Sequence, residues 1–93
     1  MSQHYAVNPE VVVREKDSHG ALLFNPDTNQ LRAINETGFF IWSLCDGSRN
    51  IDSLAQALRD AYEGVPEREV LREVTAFVKT MVADQFLGVV EKN

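Results

Sequence analysis

The residues able to do chemistry in this chain are few, and they do not form a catalytic pattern. His4 and His19 have no Cys or carboxylate cluster at metal-ligand spacing around them, so we expect solvated histidines and no metal site. Cys45 is the only cysteine and lies near the predicted end of a helix, where the helix dipole disfavours a thiolate; we expect a small buried filler. The sequence contains no phosphate-binding glycine loop and no nucleophile elbow. We therefore predict no enzyme activity, no metal and no cofactor.

A basic stripe on the predicted third helix is the other chemical candidate. Arg68, Arg72 and Lys79 fall within about 40° of one another when helical residues are placed at 100° intervals. Such a stripe can follow the phosphates of a nucleic acid. Glu69 and Glu73 lie beside it, however, and the chain as a whole is acidic. The pattern favours a solvated helix face and leaves a DNA-binding regulator as the alternative function.

Length and composition limit the class of protein. The chain has 93 residues, which predicts a single domain over residues 1–93. Nine Lys and Arg against fourteen Asp and Glu give a net charge of −5, which disfavours non-specific binding to nucleic acid. The first ten residues have neither the basic nor the apolar part of a signal peptide, and no apolar run approaches the roughly 20 residues that span a bilayer. We expect a cytoplasmic protein that contacts no membrane.

Three short apolar segments in the first third of the chain predict a β-meander. The expected strands cover residues of about 10–15, 21–25 and 30–34. A polar, glycine-ended break at 16–20 and a dense cluster of turn residues at 25–29 separate them. In the order first, second, third, such a meander leaves the third strand at an edge of the sheet with unpaired backbone groups.

After the meander the apolar period changes to that of helices. Three helices are expected over residues of about 36–45, 51–63 and 67–87, with Asn35 and Asn50 as N-caps of the first two. The predicted class is α+β, winged helix-turn-helix-like, with a three-stranded antiparallel meander followed by three α-helices. The core is expected to include the large apolar residues of the first two helices, namely Ile41, Trp42, Leu54 and Leu58.

Three smaller features complete the expected chain trace. Gly38 in the first helical turn costs about 1 kcal/mol relative to Ala, so we expect a close backbone contact there. Asp46-Gly47 is expected to end the first helix. The N-terminus around His4 is expected to be frayed, and Val89-Val90 to add a short terminal strand.

The third helix has an unusually wide apolar arc. The arc spans about 140°, where a single packing face needs about 100°. Its members are Val70, Leu71, Val74, Phe77, Val78, Met81 and Val82. The extra width either lines a groove or packs against the sheet and the C-terminal tail, and the sequence leaves both possibilities open.

The order and the amino-acid sequences of these segments resemble those of the PqqD-like family, small winged-helix domains also called RiPP recognition elements. In the strand region the resemblance rests on Asn8-Pro9 before the first strand and on Ala21-Leu22-Leu23-Phe24-Asn25-Pro26. In the first helix it rests on Ile34-Asn35-Glu36-Thr37-Gly38, followed by Ile41-Trp42 and then Asp46-Gly47. The remaining pieces are the second helix and the long third helix before Phe86-Leu87-Gly88. Together these pieces cover nearly the whole chain. The set is fairly specific, whereas each piece alone is weak.

The resemblance implies peptide binding without catalysis. Members of this family hold the leader of a ribosomally made precursor peptide and present it to a modifying enzyme, often a radical SAM protein, as in coenzyme PQQ biosynthesis. The leader adds as a strand beside the third strand, in a groove closed by the third helix. Carried onto this chain, the strand contribution is Leu31, Arg32, Ala33 and Ile34. From the third helix we expect the residues along one edge of the apolar arc, namely Val70, Glu73, Val74, Phe77 and Met81, and the sequence leaves open which edge of the arc lines the groove. Alternation places Leu31 and Ala33 on one face and Arg32 and Ile34 on the other, with Ile34 as the core residue.

The expected partners follow from this interpretation. They are a precursor leader peptide and a modifying enzyme, with no nucleic acid, and the chain itself is a monomer or weak homodimer. Besides the DNA-binding regulator, a scaffold or homodimer that pairs the same edge strand with its own copy stays an alternative.

Overall fold

The computed structural model describes residues 2–16 and 20–92. In chain order its elements are β1 (Ser2–Val7), β2 (Val12–Lys16), β3 (Gly20–Asn25), β4 (Gln30–Ile34), α1 (Glu36–Leu44), β5 (Asp46–Arg49), α2 (Ile51–Ala61), α3 (Glu67–Ala83) and β6 (Leu87–Lys92). The prediction for His19 lies outside the described residues. None of the helices in the described ranges is long and apolar enough to cross a membrane.

The predicted meander is present as the sheet β2-β3-β4, with all pairs antiparallel. Its inner face packs on the helices: Ala21 and Leu23 are fully buried, and Ile34 is 9% exposed. Gly20 opens β3 with φ +103°, and a Cβ at this position would lie 2.0 Å from the carbonyl oxygen of Ile34. Only glycine therefore allows β3 to begin so close to the end of β4. The predicted α+β class and winged-helix meander are confirmed.

A second antiparallel sheet, in the order β5-β1-β6, was not predicted as a sheet. The expectation of a frayed N-terminus around His4 is wrong, because β1 lies in the centre of this sheet. Asp46-Gly47 starts β5, so it begins a strand as well as following α1. The predicted terminal strand at Val89-Val90 is confirmed within β6. Pairing β1 with β6 joins the two ends of the chain, and the sequence predicts the strand at Val89-Val90 but not this non-local pairing.

The helices begin where their caps predict. Asn35 Oδ1 accepts a hydrogen bond from the N–H of Gly38 at 2.8 Å, and Asn50 Oδ1 accepts one from the N–H of Ser53 at 2.9 Å. Their carboxyl ends come slightly earlier than expected: α1 ends at Leu44, and α2 ends at Ala61. The capping signals therefore located the starts of these helices better than their ends.

The predicted end of the third helix, at residue 87, is wrong. α3 ends at Ala83, and Gln85 adopts a left-handed conformation with φ +65°. The N–H groups of Gln85 and Phe86 donate to carbonyls of the last helical turn at 3.1 and 2.9 Å, which is the Schellman pattern. A glycine normally marks this position, and its absence here explains the misplaced boundary. The side-chain amide of Asn25 supports the turn by donating to the Gln85 carbonyl at 2.9 Å.

One core joins both sheets and the three helices. All four predicted core residues of α1 and α2 are buried, with exposures between 0% and 7%. Cys45 is 1% exposed, and burial together with the neighbouring Asp46 charge raises the pKa of its thiol to about 12. The prediction of Cys45 as a buried filler is thereby confirmed. Phe86, 0% exposed, lies between the turn after α3 and Trp42, whose indole Nε1–H donates to the Phe86 carbonyl at 3.3 Å.

Candidate functional site

Strand β4 forms one edge of the meander sheet. Within residues 2–16 and 20–92 it pairs with β3 and with no other strand. The C-terminal strand β6 does not cover this edge, because it pairs with β1 in the other sheet. An edge strand of this kind presents N–H and C=O groups with no strand partner, and those groups can pair with an extended chain. The predicted open edge is therefore present in the described structure.

Two neighbouring cavities lie along α3 beside this edge. The one between β4 and α3 has a volume of about 220 Å³ and is lined by Arg32, Ala33, Ile34, Asn35, Phe77, Thr80 and Met81. The other, between the start of α1 and α3, has a volume of about 360 Å³ and is lined by Asn35, Thr37, Gly38, Ile41, Leu58, Glu73, Val74 and Phe77. Asn35 and Phe77 line both. We call the two cavities together the β4–α3 groove.

Gly38, Asn35 and Phe77 form the junction between the two cavities. A Cβ on Gly38 would lie 3.0 Å from Cε1 of Phe77 and 3.2 Å from Oδ1 of Asn35. The close backbone contact predicted for Gly38 is thus a contact with the aromatic ring in the groove. The Asn35 side chain is held by its cap hydrogen bond to the Gly38 N–H. The start of α1 therefore supplies one wall of the junction and packs against Phe77 of α3, which supplies the other.

The end of the groove near the turn after α3 is polar and paired. The guanidinium of Arg32 donates to the carboxylate of Asp84. Its Cζ also lies 6.0 Å from the centroid of the Phe86 ring, within the range of a cation–π contact. The Arg32 Nε is buried and has no hydrogen-bond partner among the described residues. Arg32 therefore lines the groove with most of its charge already matched by Asp84.

The opposite end of the groove has one free carboxylate. Glu73 is exposed and makes no ion pair with another described residue. The rest of the second cavity offers the hydroxyl of Thr37 and the apolar side chains of α1, α2 and α3. The groove can thus accommodate apolar side chains of a bound molecule, while the backbone N–H and C=O groups of β4 can donate and accept hydrogen bonds along its edge. Among the described residues no group of three or more His, Cys, Asp or Glu is placed to hold a metal ion.

The structure brings together seven of the nine predicted site residues. Arg32, Ala33, Ile34, Glu73, Val74, Phe77 and Met81 all line the groove. Leu31 does not: it is 63% exposed on the other face of the sheet. Val70 does not either: it lies in the core at 0% exposure and lines neither cavity. The predicted alternation along β4 explains the first case, since it turns Leu31 away from the helices.

Several lining residues were not predicted. They are Asn35, Thr37, Gly38, Ile41, Leu58 and Thr80. From the sequence, Asn35 is expected to be a helix cap and Gly38 to make a tight contact, and Ile41 and Leu58 are expected in the core. Thr80 had a usable signal, because it lies three residues after Phe77 and so on the same side of α3.

A family comparison identifies the class of protein. The family described as coenzyme PQQ synthesis protein D (PqqD) matches residues 20–87 of this chain. The chain belongs to the PqqD family. PqqD-like peptide-binding domains are generally non-catalytic accessory proteins. No curated protein sequence matches the chain.

Two solved structures share the fold. The chain is similar to TbiB1 in complex with the TbiA(beta) leader peptide, with a TM-score of 0.75 and 21% identity over 88% of this chain and 93% of that one. It is also similar to lasso peptide synthetase B1 complexed with the leader peptide, with a TM-score of 0.75 and 21% identity over 91% of this chain and 98% of that one. At this identity the likeness establishes a shared fold.

Proposed function

We propose that this chain is a non-catalytic accessory protein that binds the leader of a ribosomally synthesised precursor peptide. The leader adds as a strand along β4, and the chain presents it to a modifying enzyme. The observation that carries the proposal is the unpaired edge of β4 lying directly beside the β4–α3 groove. Membership of the PqqD family and the leader peptides named with the two structural neighbours support it.

The dimensions of the edge suit a short extended segment. β4 has five residues, which at about 3.3 Å per residue offers an edge of roughly 16 Å. A peptide strand paired there sends alternate side chains to opposite faces of the sheet. One set enters the β4–α3 groove, where the partly exposed ring of Phe77 provides apolar contact above the buried Met81. Backbone hydrogen bonds then supply affinity and the groove supplies sequence preference.

The family and the two neighbours support this function over the DNA-binding alternative. We expect no salt-sensitive retardation of DNA by the chain, because phosphate contacts by Arg68, Arg72 and Lys79 would impose a steep salt dependence. A radical SAM identity for the modifying enzyme, a monomeric or weakly dimeric state, a cytoplasmic location, a single domain over the whole chain and the absence of enzyme activity all stay predictions.

The test is a titration followed residue by residue. Short peptides encoded beside this chain's gene are synthesised as candidate leaders and added to ¹⁵N-labelled protein, with scrambled peptides of the same composition as controls. We expect amide shifts concentrated at residues 30–35 and 73–81, and slowed hydrogen exchange along β4. The proposal fails if every candidate leader at high micromolar concentration leaves those amides where its scrambled control leaves them.

A further inference from the structure

The β2-β3-β4 sheet has a second face, which shares only Ala33 with the described lining of the proposed groove. In the strand register Val12 lies opposite Phe24, and Phe24 lies opposite Leu31. The next row on the same face places Arg14 opposite Leu22, and Leu22 opposite Ala33. We call this surface the outer sheet face, defined by Val12, Arg14, Lys16, Leu22, Phe24, Leu31 and Ala33.

The outer sheet face holds the two most exposed large apolar side chains of the described chain. Leu31 is 63% exposed and Val12 is 56% exposed, and they flank the half-buried ring of Phe24. Directly opposed residues in antiparallel strands have Cβ atoms about 5 Å apart, so these three side chains form one continuous row across the sheet. A continuous apolar row on a small domain marks an interaction surface more often than scattered exposed residues do.

The charges around this row indicate what kind of surface covers it. Arg14 and Lys16 extend from β2 on the same face, and neither makes an ion pair with another described residue. The only acidic residue on these three strands, Glu15, alternates to the inner face. Two copies packed through this face would bring like charges together with no carboxylate on the strands to match them. A different protein, with carboxylates bordering an apolar area, fits the face better.

The outer sheet face is continuous with the edge that receives the peptide. A strand added to β4 extends the sheet, and its outward side chains come next to Leu31 and Ala33 on that face. A protein that covers the face therefore touches both this chain and the bound leader. The outer sheet face is therefore positioned so that a second protein bound to it would lie next to a peptide paired with β4.

We propose that the outer sheet face docks on the modifying enzyme, against an apolar area bordered by carboxylates, and that a bound leader enlarges this interface. The second part rests on the proposed function, because it needs a leader strand beside β4. Linkage then requires that the leader and the enzyme each strengthen the binding of the other.

Site-specific photocrosslinking tests the docking surface. Cys45 is buried, so a cysteine introduced by Val12→Cys is the thiol available for a benzophenone maleimide. Val89→Cys is the matched control, since Val89 is also an exposed valine, at 41%, but lies on β6 in the other sheet. The probe is the modifying enzyme encoded beside this chain's gene. We expect crosslinks from position 12 at least about fivefold above those from position 89, increasing when the leader is added.

Charge reversal provides a second measurement on the same complex. Arg14→Glu with Lys16→Glu should weaken binding of the enzyme about tenfold, while Lys79→Glu on the outer side of α3 should leave it within about twofold. The leader affinity of the free double variant should stay within about twofold of wild type, because β2 lies roughly 10 Å from the free edge of β4.

The outcomes separate the two proposals. Equal or stronger crosslinking from position 89, crosslinks between two copies of this chain, or no association with the enzyme each overturn the docking proposal. If the leader fails to bind the free chain while position 12 still crosslinks to the enzyme, the proposed peptide binding is wrong and the docking surface stands. If the leader binds but charge reversal leaves enzyme affinity unchanged, the docking proposal is wrong and peptide binding stands.

Discussion

Gly38 and Phe77 lie so close together that a side chain on the glycine would push the aromatic ring aside. The Cβ of an alanine at position 38 would lie 3.0 Å from Cε1 of Phe77. Phe77 is partly exposed and borders both cavities of the β4–α3 groove, so its ring has open space into which it can move. The packing of the first turn of α1 therefore sets the width of the groove at its junction.

Gly38→Ala should separate stability from binding. Replacing glycine with alanine stabilises a helix by up to about 1 kcal/mol, and this offsets the crowding between the new methyl group and Phe77. We therefore expect the free energy of unfolding to change by less than about 1 kcal/mol. Displacing the Phe77 ring narrows the groove, and leader affinity should fall about tenfold. Urea unfolding and fluorescence anisotropy with a labelled leader measure the two effects. A variant that binds the leader as well as wild type would show that the junction is not part of the binding surface.

Phe77→Ala should weaken leader binding at least as much as Gly38→Ala. The ring borders both cavities, so truncating it removes apolar contact along the whole groove, and we expect at least a tenfold loss of leader affinity, or about 1.4 kcal/mol or more. Leu71→Ala is the matched control, because Leu71 is 39% exposed on another side of α3. Leader affinity of the Leu71 variant should stay within about twofold of wild type. Equal losses in the two variants would contradict the groove as the peptide site.

Local signals in the sequence located most of the groove but not all of it. Period-two alternation placed Arg32 and Ile34 on the inner face of β4, and helical periodicity placed Phe77 on one edge of α3. Helical periodicity placed Val70 and Met81 on the same apolar arc of α3. It measures only the angle of a residue around the helix axis and does not show which elements pack against that residue. The tertiary structure buries both side chains, Val70 at 0% and Met81 at 1% exposure, and only Met81 borders the cavity beside β4.

The second sheet could not be predicted because its pairing is non-local. The register Tyr5 with Val89 links residues at opposite ends of the chain, and neither segment is strongly patterned alone. The turn at Gln85 was missed for a different reason. Its left-handed conformation is held by tertiary hydrogen bonds from Asn8 and Asn25 and is not signalled by glycine.

Asn25 should therefore contribute more to stability than its position at a strand end suggests. It is 0% exposed, its amide donates to the Gln85 carbonyl at 2.9 Å, and its Oδ1 accepts from the N–H of Asp27 at 2.9 Å. Asn25→Ala removes both bonds in a buried setting, and we expect a loss of about 2–3 kcal/mol in urea unfolding. Asn8→Ala is the control: it donates to the same carbonyl at 2.8 Å but is more exposed, and should lose about 1 kcal/mol or less. An equal or smaller loss for the Asn25 variant would refute this role.

Cys45 should be unreactive in the folded protein and should make stability depend on alkaline pH. Burial is the largest cause that raises the pKa of its thiol to about 12 from 9.0. The unfolded chain therefore loses this proton first as pH rises. The stabilising contribution is complete below pH 9 and declines as pH increases toward 12.

Two measurements check the behaviour of Cys45. Iodoacetamide at pH near 8 should alkylate the native thiol at least about a hundredfold more slowly than the urea-unfolded one. The free energy of unfolding of wild type minus that of Cys45→Ala should decrease between pH 9 and 11. Taking this difference removes the contributions of other groups that titrate in the same pH range, because both proteins contain them. A native thiol that reacts as fast as the unfolded one would contradict its burial.

The Arg32–Asp84 pair should control the charge that the groove presents to a peptide. The two side chains are 33% and 26% exposed, so their pairing contributes only about 1 kcal/mol to stability. Asp84→Asn leaves the shape nearly unchanged but frees the Arg32 charge within the groove. We expect the variant to bind a leader bearing an acidic residue in its β4-paired segment more tightly at low salt, with an affinity that falls steeply as salt is added.

The matched control for this effect is Arg32→Met in the Asp84→Asn background. Methionine keeps an apolar stem of similar length against Phe86 but removes the charge, so the salt dependence should return to that of wild type. Anisotropy titrations at low and high salt with an acidic and a neutral leader give the four affinities needed. Salt dependence that appears in the Asp84→Asn variant and persists after Arg32→Met would show that the charge comes from elsewhere on the chain. If it disappears, Arg32 is the source of the salt dependence, and Asp84 neutralises that charge in the wild-type groove.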